Sequence, residues 1–377
     1  MAPPLKDGHG VAGGAVRILV SASPGERRVA LLRDGALDEA YVERAPRAGE
    51  VGDLHIGRIA ARAPAISGAF VLLEGGASGF LPDAAGGAGV PEGTYLPVRV
   101  TRPAQGGKGP RLSAKDVPAG LPRAGPPRLV ERGPDAALRL AAEHPDAAIE
   151  ASGAPEVARL RGALGAARVR AVAEAFDGEV DAAFESLSDP VVALGGGARL
   201  IIQPTAALVA MDVDSGPAEP AAANAAAIVQ GVRQAGLRHL AGVILLDAAG
   251  GSAASRAALL PALRRAASGD TRLRVLGVTG SGLLEMVRTR VHPPLHEILG
   301  QPPSALTLGL RALRQALREA AAAPGARPVL RAHPVVAAAL RNHPEALRDY
   351  AAGATHPISL LEDPGVVPGE ERIEGLA

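Results

Sequence analysis

The sequence predicts an α/β protein of several domains, α+β in overall make-up: a small β-barrel first, a strand–helix layer after it. Three observations carry this. The chain has 377 residues, enough for two or three domains. Residues 16–116 read as short strands broken by glycine turns, without helical periodicity. After the proline-rich stretch "VPAGLPRAGPPR", strands and helices alternate, the pattern of a layered, largely parallel sheet.

In order along the chain, residues 1–15 are rich in glycine and proline and are expected to be disordered. Residues 16–49 alternate apolar runs with turns at Pro24-Gly25 and Asp34-Gly35, a β-meander. Residues 50–116 continue as a small barrel, and 117–128 form a linker. In 129–190, "GPDAALRLAAEHP", "APEVARLRGALGA" and "EVDAAFESL" are helical, with "DAAIEA" a short strand. In 191–300, "RLIIQ", "ALVAMDV", "AGVILLD" and "LRVLGVT" read as strands. "NAAAIVQGVRQAGL", "SAASRAALLPALRRAAS" and "GLLEMVRTRV" read as helices. Residues 301–377 hold one long helix, "SALTLGLRALRQALREAAAA", and a small α+β tail.

Composition removes whole classes of function. Aromatic residues are 2 % of the chain, so the core is aliphatic. Net charge is +1, so an anionic partner must meet local patches. The chain has no cysteine, which excludes disulfides, thiolate zinc sites and cysteine nucleophiles. No apolar run reaches the roughly 18 residues of a membrane span. No signal peptide is read, and the expected location is the cytoplasm.

Two features carry chemistry. "AMDVDSG" ends an apolar strand with Asp212 and Asp214, which share one face because strand side chains alternate. Asp247 ends the next buried strand. Carboxylates converging at strand tips suit Mg²⁺, with Mn²⁺ as an alternative, and such an ion activates water beside a phosphodiester. The structural alternative is that these aspartates cap the following helices. In the barrel, Phe70 and Phe80 are two of only four phenylalanines. Arg102, Lys108, Arg111 and Lys115 lie on a glycine-rich loop close behind. Aromatic faces stack bases and cations hold phosphates; the alternative is that the rings fill a small core.

Other motifs carry less. "GGKGP" lacks the spacing and hydroxyl of a phosphate loop. "GVTGSG" is a glycine-rich turn between a strand and a helix. His292 and His296 in "HPPLH" cannot share a helical face. Ser215 reads as a cap. The leucine spacing of "LTLGLRALRQALREA" marks a core face or a dimer seam.

"VGDLHIGRI…GAFVLLEGGASGFLP" resembles the S1-type OB-fold RNA-binding domain of the ribonuclease E/G family, and "GGKGPRLSA" resembles the loop closing it. "RLIIQPTAALVAMDVDSG", "NAAAIVQGVRQAGLRHLAGVILLD" and "VLGVTGSGLLEMVRTRV" are similar to successive family segments. The resemblance implies an OB-fold barrel inserted in or next to a ribonuclease H-like part (16–49 and 129–190). A DNase I-like catalytic layer (191–300) and a small C-terminal α+β domain would follow. It implies single-stranded RNA as partner, contacted by Phe70, Phe80 and Lys108, and Arg111 on the same loop is a further RNA-binding candidate. It implies Asp212 and Asp247 as metal ligands, with Asp214 in the catalytic set. The reaction implied is metal-dependent endonucleolytic cleavage leaving a 5′-phosphate. An RNA-binding derivative with impaired catalysis is the alternative.

The sequence departs from the family pattern at four places. Asp214 stands where the family has asparagine, replacing a neutral donor–acceptor with a charged acceptor. "SGPAEPAAA" is short and has no basic residue. The segment that senses an RNA 5′-monophosphate has no counterpart, so preference for such ends should be weak. The cysteine pair that shares zinc between subunits is missing, so a homodimer would need another surface.

Overall fold

The computed structural model describes residues 15–44, 51–105, 107–323, 325 and 327–375. The expectation of a disordered N-terminus falls on residues 1–14, outside the described residues, apart from Ala15.

Strands β1 (Val16–Ser23), β2 (Glu26–Arg33) and β3 (Ala36–Arg44) form the expected antiparallel meander. Asp34 and Gly35 turn with φ of 53° and 79°. The strands are apolar on both faces because both are covered. Ile18, Val20, Val29 and Leu31 point into one core, and Leu19, Ala30 and Leu32 into another. Such strands read as nearly continuous apolar runs.

The chain then builds a closed barrel from β4 (Leu54–Ala63), β5 (Gly68–Leu72), β6 (Ser78–Pro82), β7 (Tyr95–Arg102) and β8 (Arg111–Ser113). The order is β5-β6-β8-β7-β4, and pairing of β4 with β5 closes it. β9 (Arg128–Glu131) adds to β4. The core is aliphatic: Ile59, Val71, Leu81, Val98 and Leu112 are almost fully buried.

After the barrel come α1 (Ala136–Glu143), β10 (Ala148–Ser152), α2 (Ala154–Leu164), β11 (Val169–Ala171) and α3 (Gly178–Glu185). β10 returns to pair parallel with β1, and β11 with β10. The barrel therefore sits in the chain between two halves of one sheet, ordered β11-β10-β1-β2-β3.

The next sheet holds β12 (Val191–Gly195), β13 (Ala198–Pro204), β14 (Leu208–Asp214), β15 (Gly242–Asp247), β16 (Leu273–Val278) and β17 (Leu284–Arg288), in the order β12-β13-β14-β15-β17-β16. Helix α4 (Pro220–Leu237) crosses from β14 to β15, and α5 (Ala253–Ala257) and α6 (Leu260–Ala267) follow β15. Two expectations are corrected here. "GLLEMVRTRV" is not a helix: Leu284, Met286 and Arg288 are buried alternately as β17, pairing antiparallel with β15 and β16. The sheet is also not largely parallel, since only β14 and β15 run parallel.

The last part comprises α7 (Leu295–Leu299), α8 (Ala305–Ala322), β18 (Val329–Ala332), α9 (Pro334–Arg341), α10 (Pro344–Gly353), β19 (Ser359–Glu362) and β20 (Arg372–Glu374). The leucines of α8 pack within the chain, with Leu310 and Leu313 against Leu330, Val336 and Leu340. Arg314 of α8 pairs with Glu26 and Glu185, docking this part on the first sheet. Gly25 presses on α10 so closely that a Cβ would lie 2.6 Å from that of Ala346. No helix among the described residues is long and apolar enough to cross a membrane.

Candidate functional site

The parallel pairing of β14 with β15 sets Asp212 directly opposite Asp247. Met211 and Val213 are buried on one face of β14, so Asp212 and Asp214 emerge on the other. The core beneath is well packed: Met211, Ile244 and Leu246 are each at most 1 % exposed. Gly231 of α4 allows close approach, since a Cβ there would lie 3.3 Å from Met211 Sδ and from Leu246. The two carboxylates therefore stand side by side on a rigid base.

Asp214 and Asp247 are each paired with an arginine. Asp214 lies opposite Arg199 on β13 and forms an ion pair with it. It also accepts from Gly216 N at 2.9 Å. The guanidinium and this amide hold the Asp214 carboxyl below the usual carboxylate range. Asp247 Oδ1 lies 2.8 Å from Arg256 Nη1. Arg256 also donates from Nη2 to Ala248 O at 2.9 Å and reaches the carbonyls of Gly250 and Gly282 at 3.4 Å. Asn224, near the start of α4, both donates to Ala249 O (3.0 Å) and accepts from Ala249 N (2.8 Å), fixing the loop after Asp247. Ser215 does not cap α4; Glu219 does, accepting from Ala222 N at 3.1 Å.

The three aspartates were candidates in the sequence; Arg199, Arg256 and Asn224, which surround them, were not. Arg199 follows from strand register. Arg256 and Asn224 depend on how a loop folds back, which no local pattern reports.

The donor set suits a hard cation. Asp212 and Asp247 bring carboxylate oxygens to one face, with Oδ1 of Asp247 buried beside Arg256. Asp212 makes no hydrogen bond or ion pair with the described residues. Elsewhere, Glu39, Glu143 and His144 bring possible ligand atoms within 4.8 Å of one another. His292 is not placed as a ligand: it packs edge-on against Tyr41, with ring centroids 5.3 Å apart.

On the barrel, Phe70 and Phe80 face each other across β5 and β6, ring centroids 5.8 Å apart and edge-to-face. They do not fill the core. Phe70 is 42 % exposed, and both rings line a groove of about 1150 Å³ with Arg102, Lys108 and Arg111. Gly68 makes room for the Phe80 ring, which a Cβ there would meet at 2.4 Å. Lys108 is presented by a tight turn closed by mutual backbone bonds with Gln105 (2.8 and 2.9 Å). The next residue can only be glycine, because a Cβ at Gly109 would collide with Ser78 O. None of the three cations pairs with a carboxylate among the described residues. His55 lines the same groove, and burial lowers its pKa.

The groove is tied to the second sheet. Arg290, just past β17, binds Glu297 of α7 through two bonds of 2.6 and 2.8 Å and donates to Ala104 O at 3.1 Å.

Residues 167–291 match the sequence profile of the Ribonuclease E/G family. The match includes Asp212, Asp214, Asp247 and Arg256 and lies beyond the barrel. The chain is similar to Ribonuclease E of Synechocystis sp., 33 % identical over 133 residues, covering 33 % of this chain and 20 % of that protein. It is also similar to Ribonuclease G of Haemophilus influenzae, 39 % identical over 57 residues, covering 15 % of this chain and 12 % of that protein. The chain thus spans a fifth or less of the length of these curated relatives. The resemblance to the ribonuclease E/G family is shown.

Proposed function

We propose that this chain is a metal-dependent endoribonuclease of the ribonuclease E/G type acting on single-stranded RNA in the cytoplasm. The observation that carries the reading is the pairing of Asp212 with Asp247 at adjacent strand ends, inside the stretch that matches the family. Mg²⁺, or Mn²⁺ in its place, would be held by these two carboxylates and would supply charge neutralisation at the phosphodiester and a more acidic water.

The chain's own residues supply the rest. Phe70 and Phe80 stack bases of the strand, while Lys108 and Arg111 hold its phosphates. Asn224 and Arg256 fix the loop that follows Asp247. The closed barrel is read as an S1-type OB fold (50–116), and the sheet on either side of it as ribonuclease H-like (16–49 and 129–190). The linker is 117–128. Residues 191–300 are read as the DNase I-like catalytic domain and 301–377 as a small accessory domain.

The ion pair of Arg256 with Asp247 favours a second reading, an RNA-binding protein whose catalysis is impaired. One experiment separates the two. The protein is incubated with single-stranded RNA and Mg²⁺ or a chelator, beside Asp212→Asn and Asp247→Asn. Metal-dependent cleavage lost in both variants supports the nuclease. RNA binding without cleavage by the unaltered protein rejects it.

A further inference from the structure

We infer that Arg256 is a built-in counter-ion of the carboxylate pair, which keeps cation affinity low until a phosphodiester arrives. The inference rests on the metal-centre reading of Asp212 and Asp247 and concerns how that centre is loaded.

The geometry is specific. Arg256 Nη1 sits 2.8 Å from Asp247 Oδ1, so one oxygen of that ligand is already engaged by a positive charge. The guanidinium is held there by the carbonyls of Ala248, Gly250 and Gly282. The side chain is 19 % exposed, so water screens it less than a surface arginine.

Charge accounting gives the consequence. Asp212, Asp214 and Asp247 face Arg199 and Arg256, which leaves one net negative charge. A divalent ion entering alone makes the cluster positive and lies close to a fixed guanidinium, a repulsion that a polar environment reduces but does not remove. A phosphodiester brings the compensating negative charge. Arg256 and the ion then attract the same anion, so ion and strand each strengthen the binding of the other.

Arg256 is a positioning residue in this scheme, and its test reads cation binding rather than cleavage. Mn²⁺ binding is measured by electron paramagnetic resonance on the unaltered protein, Arg256→Gln, Arg256→Lys and Asp212→Asn, with and without a single-stranded 2′-O-methyl oligoribonucleotide. We expect weak Mn²⁺ binding by the unaltered protein, tightened at least about fivefold by the oligonucleotide. Arg256→Gln should bind Mn²⁺ roughly tenfold more tightly without oligonucleotide, with most of the further gain lost. Arg256→Lys removes the forked guanidinium but keeps the charge, and should stay near the unaltered protein. If Arg256→Gln binds Mn²⁺ no more tightly, or Arg256→Lys tightens equally, the counter-ion role is wrong while the metal centre stands. If no protein binds Mn²⁺ in an Asp212-dependent way, the metal-centre reading falls and this inference with it.

Discussion

Arg199 and Asp214 stand directly opposite each other on adjacent antiparallel strands, guanidinium against carboxylate. Taken by itself, aspartate at 214 would push an incoming phosphate away. Paired across the sheet, it adds no net charge, and its turn bond to Gly216 fixes its direction.

Asp214→Asn should release Arg199 as an unpaired surface cation. Affinity for single-stranded RNA is expected to rise about threefold to tenfold at low ionic strength, with the gain fading as salt screens it. Filter binding at two salt concentrations measures this. Unchanged or weaker affinity would mean that Arg199 does not face the bound strand.

Phe70→Ala and Phe80→Ala should each weaken RNA binding by roughly 1–3 kcal/mol, the usual worth of a base–aromatic stack. Phe70 is the cleaner variant because its ring is 42 % exposed and contributes little to the barrel core. Fluorescence anisotropy with a labelled oligonucleotide, alongside a thermal melt, separates lost stacking from lost folding. An unaltered dissociation constant in both variants would remove the groove from RNA recognition.

Replacing Lys108 or Arg111 with alanine should reduce the steepness of the salt dependence by about 0.7 per lost phosphate contact, the value for single strands. The measurement is log affinity against log salt concentration for each variant and the double variant. A parallel displacement with no change of slope would show that these cations do not neutralise phosphates.

Acid should destabilise the fold through His239 and His292. Burial pushes their pKa values down to about 3 and about 2. The unfolded chain therefore takes up protons near pH 6.5 that the folded chain refuses. Stability is full above that pH and falls below it, by up to about 1.4 kcal/mol per pH unit for each histidine. Melting temperatures at pH 7.5 and pH 5 should differ, and His292→Phe should narrow the difference. Equal narrowing by His356→Gln, at a partly exposed position in the C-terminal part, would assign the effect elsewhere.

The barrel, the meander and the adjacent strands carrying Asp212 and Asp247 were all legible in the sequence, because alternation, turn glycines and apolar runs are local signals. β17 was not. Leu284, Glu285, Met286 and Arg288 are good helix formers, and only pairing between β15 and β16 makes them extended. That error also made the sheet look parallel. Arg256 was invisible for a related reason: its partner is chosen by the folding back of residues 248–252, not by sequence spacing. The placement of Phe70 and Phe80 on the groove was an open choice in the sequence, and their cross-strand pairing outside the aliphatic core resolves it.

Asp212 and Asp247 meet across the one parallel pairing in their sheet, and parallel neighbours cannot be joined by a tight turn. Helix α4 must form and cross over before the two side chains are neighbours. No hairpin-sized stretch of the chain contains the centre, even in rudimentary form. Its assembly depends on a contact between residues 212 and 247 that is made only when the segment between them has closed. A nascent or partly unfolded chain can therefore present the barrel groove while still lacking the paired carboxylates.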